Sequence, residues 1–122
     1  MSLTIDTRKV NGHIVLEAKG RLEQGQSSIM LREITQRLTS DGGRYFLLDL
    51  SGVSHMDSVG LGLLLSIYAT IRNQGGDLKL LNVSARVLSL LKTTGLLKVF
   101  QVFDDEESAI QPSSDESSDS ID

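Results

Sequence analysis

Between Tyr45 and Ile71 the spacing of apolar residues changes once, and the rest of the chain is arranged around that change. Tyr45-Phe46-Leu47-Leu48-Asp49-Leu50 is a short, nearly continuous apolar run, which predicts a strand buried on both faces. Ser51-Gly52-Val53-Ser54-His55-Met56-Asp57 breaks the run and is expected to be a polar loop. From Ser58 onward Leu61, Leu64, Tyr68 and Ile71 recur at helical spacing. Val59, Leu63 and Ile67 form a second, offset apolar line. Leu63 and Ile67 are expected to be buried under neighbouring helices, and Val59 to face a partner.

The chain before this stretch opens with two alternating segments, residues 3–10 and 13–19, around Asn11-Gly12. That dipeptide supplies positive φ at both central positions of a type I′ turn, so an antiparallel hairpin follows. Gly20 to Gln26 reads as a connector. A helix is expected from Ser27 to about Ser40, with Leu31, Ile34 and Leu38 inward, Met30 beside them, and Arg32, Glu33, Gln36 and Arg37 in water. Asp41-Gly42-Gly43 ends it.

Downstream, Asn73-Gln74-Gly75-Gly76 predicts a turn and Asp77 to Asn82 a strand. Ser84 is a plausible N-cap for a helix to Thr94, with Val87, Leu88 and Leu91 inward and Gly95 just past its end. Val99 to Phe103 reads as a last strand, and Asp104 to about Ile110 as one or two helical turns with acids at the favoured end. A hairpin followed by alternating helices and strands predicts an α/β domain over residues 1–111, with a mixed sheet flanked by helices. From Pro112 the serine-rich acidic segment 112–122 lacks the apolar content to offset ordering and is expected to be disordered.

Charge sharpens this picture. All twelve basic residues precede Asp104, whereas eight of the sixteen acids lie from Asp104 onward, so residues 1–103 carry +4 and residues 104–122 carry −8. The bases are scattered and seldom interleaved with aromatics, which argues against nucleic-acid binding. The absence of cysteine excludes disulfides, thiolate metal sites and cysteine nucleophiles, and fits a cytoplasmic protein. The longest apolar run, Leu61 to Leu65, includes a glycine and is far too short to span a membrane, and the N-terminus does not read as a signal peptide.

The chemistry-bearing residues cluster at the strand-to-helix join. Ser58 presents a hydroxyl at or near the first residue of a helix, where a phosphate would meet unpaired backbone N–H groups and the positive end of the dipole. The plain alternative is a capping serine. Asp57 has two readings: an N-cap or turn residue, or a group that orients the Ser58 hydroxyl and contacts a partner. Gly60 and Gly62 do not make a dinucleotide fingerprint, because Leu65 occupies the third glycine position and the glycines fall inside the helix. Ser54, His55, Asp57 and Ser58 are too close in sequence to form a hydrolytic triad, and no Gly-x-Ser-x-Gly elbow is present. Two isolated histidines, His13 and His55, do not make a zinc site. No cofactor and no catalytic residue is expected.

The window Phe46-Leu47-Leu48-Asp49-Leu50-Ser51-Gly52-Val53-Ser54-His55-Met56-Asp57-Ser58-Val59-Gly60-Leu61 resembles the signature of the STAS domain family, and more narrowly that of the stand-alone bacterial anti-sigma factor antagonists. Gly20-Arg21-Leu22 and Thr94-Gly95-Leu96 with Val99-Phe100 extend the resemblance over about residues 3–110. It implies a STAS-like fold and a phosphorylation-controlled partner switch. Ser58 would be phosphorylated by an anti-sigma factor that is a serine kinase of the histidine-kinase-like ATPase fold, and reset by a PPM-type phosphatase. The unphosphorylated protein would bind that kinase and free a sigma factor. The expected partner-binding residues are Ser54, His55, Met56, Asp57, Ser58, Val59 and Gly60. The alternative within the family is a non-switching interaction subunit, such as a stressosome-like scaffold or a component of a lipid-transport ABC system.

Overall fold

The computed structural model describes residues 3–110, so the tail expected to be disordered lies outside the described residues. The elements are β1 (Thr4–Val10), β2 (His13–Leu22), α1 (Gln26–Ser40), β3 (Tyr45–Met56), α2 (Ser58–Asn73), β4 (Asp77–Leu81), α3 (Ala85–Thr93), a 3-10 turn (Leu96–Lys98), β5 (Val102–Phe103) and α4 (Glu106–Ile110). Asn11 and Gly12 both take positive φ, at 49° and 81°, and close the predicted hairpin with Val10 opposite His13. The remaining strands pair in parallel, and the sheet order is β1-β2-β3-β4-β5.

Alternation along the strands divides the interior into two layers. Ile14, Leu16, Ala18, Phe46, Leu48, Leu50, Leu78 and Leu80 face Leu31 of α1, Leu61, Leu64 and Ile71 of α2, and Val87 and Leu91 of α3. Val15, Leu47 and Leu81 point the other way and are covered by Ala109 of α4. The central run is therefore buried on both faces, as its composition predicts. On this second face Lys79 is buried: its Nζ donates to the Ala109 carbonyl at 3.1 Å and lies 5.4 Å from the centre of the Phe103 ring. Arg8 on β1 reaches across to Glu106 and Glu17, a pairing that holds the Glu106 carboxyl below its usual range and raises the Arg8 guanidinium.

Four expectations need correction. Leu88 does not point inward: it is exposed on α3, where Val87 and Leu91 are the buried residues. Gly20 to Leu22 is not connector and Ser51 to Met56 is not loop. These segments extend β2 and β3, pairing Lys19 with Gly52, Gly20 with Val53, Arg21 with His55 and Leu22 with Met56. Register shifts between Glu17 and Lys19 and between Gly20 and Arg21 break the period of two, and so hide the strand from a pattern search. The last strand is also shorter than Val99–Phe103. Gly95 enters the left-handed region, the 3-10 turn follows, Phe100 drops into the core, and only Val102 and Phe103 pair with β4.

Candidate functional site

The site is built where β3, the central strand, hands the chain to α2. Asp57 is the hinge of that join. Its backbone is extended, at φ −104° and ψ −176°, while the next residue is already helical. Its carboxylate accepts two backbone hydrogen bonds, one from Gly60 N–H at 2.9 Å and one from Gln24 N–H at 3.0 Å. The first satisfies an orphan donor of the helix. The second ties the helix start to the connector between β2 and α1. Asp57 N–H also donates to the Leu22 carbonyl at 3.4 Å. The Gln24 bond, then the Gly60 bond, favours the charged form and lowers the Asp57 pKa.

This arrangement gives the capping role to Asp57. Asp57 is the N-cap, so the helix does not consume the hydroxyl of Ser58. Ser58 is the first residue of α2 and is exposed. It stands at the positive end of a sixteen-residue helix with no acid in its first turn.

Around Ser58 the other expected residues fall on one corner. Ser54 is exposed at the end of β3, and its Oγ donates to the Gly20 carbonyl at 3.3 Å. His55 is half-buried in the same strand, with Nδ1 3.0 Å from Ser54 Oγ, so it is a strand residue rather than a loop residue. Met56 is half-buried and borders a shallow groove with Arg86, Val87 and Leu90 of α3. Val59 is 41 % exposed, whereas Leu63 and Ile67 are buried, which matches the division expected for that offset line. Gly60 is buried behind the corner. A Cβ there would stand 2.3 Å from the Leu22 carbonyl oxygen, so glycine is what lets the helix press against the end of β2.

Sequence reasoning missed two contributors, the Gln24 amide and the Leu22 carbonyl. Both are backbone groups brought in by tertiary pairing and have no side-chain signature. Among the described residues no cluster of three His, Asp or Glu side chains could hold a metal ion, and no helix is long and apolar enough to cross a membrane.

Comparison with known proteins agrees with this fold. The STAS domain profile matches residues 4–109. The anti-sigma-B factor antagonist of Bacillus subtilis is 31% identical over 111 residues, which cover 91% of this chain and 100% of that protein. The anti-sigma F factor antagonist of Paenibacillus polymyxa is 27% identical, over 90% of this chain and 94% of that protein. The phosphorylated Bacillus cell fate determinant SpoIIAA shares the fold, with a TM-score of 0.70, 23% identity, and coverage of 88% of this chain and 96% of that one. The chain belongs to the STAS domain family, in its group of anti-sigma factor antagonists. The curated relatives carry the names of regulatory antagonists and not of enzymes, in line with the expectation of a non-catalytic protein.

Proposed function

We propose that this chain is a cytoplasmic partner-switching protein that binds an anti-sigma factor and thereby frees a sigma factor, and that phosphorylation of Ser58 turns the binding off. The partner is an anti-sigma factor that is itself a serine kinase of the histidine-kinase-like ATPase fold, and a PPM-type phosphatase resets the switch. ATP and magnesium belong to the kinase. One observation carries the reading: Asp57 caps α2, which leaves Ser58 exposed at the helix start with no structural duty that the cap does not already perform. The names of the two curated relatives support the anti-sigma partner, and the solved phosphorylated form of SpoIIAA supports control by phosphate.

The physics of the switch is local. A phosphate on Ser58 would add about −1.5 to −2 charge. The helix N-terminus favours that charge, so the domain keeps its fold. Asp57 already occupies the Gly60 and Gln24 amides, so the phosphate projects outward beside a second negative group. Pressed into a partner without a counter-charge, such a group costs about 3–5 kcal/mol. That is about two to nearly four powers of ten in affinity.

The test is intact mass of the full chain after incubation with Mg-ATP and each anti-sigma factor kinase of the same genome, with Ser58→Ala alongside, followed by co-elution with the kinase. One phosphoryl group on the wild type, none on Ser58→Ala, and loss of co-elution on modification are expected. An unmodified wild type across kinases shown to be active would sink the switch, and leave the non-switching scaffold or lipid-transporter subunit.

A further inference from the structure

Gly60 and Gly62 stand two residues apart in α2 and have opposite surroundings. Gly60 is required by packing, since a Cβ there runs into the Leu22 carbonyl. At Gly62 an added Cβ meets no neighbouring atom within 4 Å among the described residues, and the backbone is not in the left-handed region. Neither packing nor conformation therefore calls for glycine at 62. Inside a helix it is destabilising relative to alanine.

What the missing side chain leaves is bare helix beside Ser58. Side chains on a helix lean toward its N-terminus, so each one covers the turn before its own Cα. Position 62 lies one turn after Ser58 on the same face, and any side chain there would lean over the flank of the Ser58 hydroxyl. The surroundings are apolar and open. Val59 is 41 % exposed, and Ile29 on the adjacent helix is 56 % exposed. Arg32 and Thr35 of α1 share a cleft of about 80 Å³ with Ser66 and Ile67 of α2. One helical turn back along each helix, toward Ser58, stand Ile29 and Gly62.

From this we infer that Gly62 is the position that sets access to Ser58: its bare backbone admits the kinase to the hydroxyl, and a side chain there would exclude it. The inference rests on the reading of Ser58 as the phosphoacceptor. Gly62 acts through space left empty, so it is a specificity position and touches none of the reacting atoms.

The experiment measures kcat/KM for phosphorylation of the full chain by its anti-sigma factor kinase with Mg-ATP, together with Tm, for wild type, Gly62→Ala, Gly62→Leu and Ala69→Leu. Ala69 is exposed on the same helix, about three turns from Ser58, and serves as the control. Gly62→Leu is expected to lower kcat/KM about tenfold or more without lowering Tm. Gly62→Ala is expected to raise Tm by about 2–5 °C and to lower kcat/KM less than leucine does. Ala69→Leu should behave as wild type. Phosphorylation of Gly62→Leu within about twofold of wild type overturns the inference alone. A fall in Tm for Gly62→Ala also overturns it, because glycine would then be structural. No labelling of wild type by an active kinase overturns the Ser58 reading and this inference with it.

Discussion

Gly60→Ala tests how tightly the start of α2 is fitted to the end of β2. The added Cβ would stand 2.3 Å from the Leu22 carbonyl oxygen, 3.1 Å from its carbonyl carbon and 3.1 Å from Leu22 Cγ. A carbon meets a carbonyl oxygen comfortably only at about 3.3–3.6 Å. The helix must therefore back away by about 1 Å at the point where Asp57 holds its cap. Overpacking of this kind costs about 1–3 kcal/mol. The helix gains at most about 1 kcal/mol from alanine, and less than that in its first turn. Gly62→Ala receives at least that gain without the obstacle, so the two variants should differ by at least the steric cost, about 1–3 kcal/mol, in favour of Gly62→Ala. Urea unfolding at fixed pH reads this as a shift of midpoint at constant m. The reasoning is refuted if Gly60→Ala is as stable as Gly62→Ala.

Asp57→Ala should expose the amides of Gln24 and Gly60 together, read as faster hydrogen exchange at both, while Asp57→Asn retains part of the protection. Because the Asp57 pKa is lowered in the folded protein, the stability it contributes is present above its unfolded value near 3.8 and is lost as pH falls through the folded value. The acid limb of a Tm-against-pH curve should therefore be shallower in Asp57→Asn than in wild type. Leu64→Ala, at a fully buried site facing the sheet, should cost about 2–5 kcal/mol in chemical denaturation. Glu106→Gln removes a partly exposed ion pair with Arg8 and should cost no more than about 1 kcal/mol, with the difference from wild type vanishing in 1 M salt.

The hairpin, the central strand, α2 and α3 were legible because each follows one local rule: a turn dipeptide, an apolar run or a stripe of period 3.6. Val59, Leu63 and Ile67 share one offset line, so the expected division between an exposed Val59 and buried Leu63 and Ile67 needed more than spacing, namely the place of Val59 at the helix start beside Ser58. The ends of β2 and β3 were not legible. Ser51, Gly52, Ser54 and His55 are poor strand formers by composition, and they are extended because Lys19 to Leu22 lie beside them through two bulges. That is a tertiary pairing with no local trace. The last strand failed for the opposite reason. Val99 to Phe103 has strand-like composition, but the left-handed Gly95 starts a turn that carries Phe100 into the core before pairing begins. At the site, the helix start at Ser58 was legible, and the choice of Asp57 rather than Ser58 as its cap was not. The bond from Gly60 N–H to the Asp57 carboxylate makes Asp57 the cap, and the bond from Gln24 N–H, far off in the chain, ties that cap to the connector between β2 and α1.

The order of strands across the sheet is the order of strands along the chain. For folding this means that each strand, as it arrives, finds its neighbour already made, and no segment has to wait for one still to come. The first hairpin closes through a two-residue turn, an event of about 1–10 μs. Each later addition closes a loop one helix long, where the entropy cost grows only slowly with length. Growth from the N-terminus is compatible with assembly during synthesis, and the corner that carries Ser58 is complete once α2 has docked on β2 and β3. Among the described elements α4, which covers the second face, comes last along the chain.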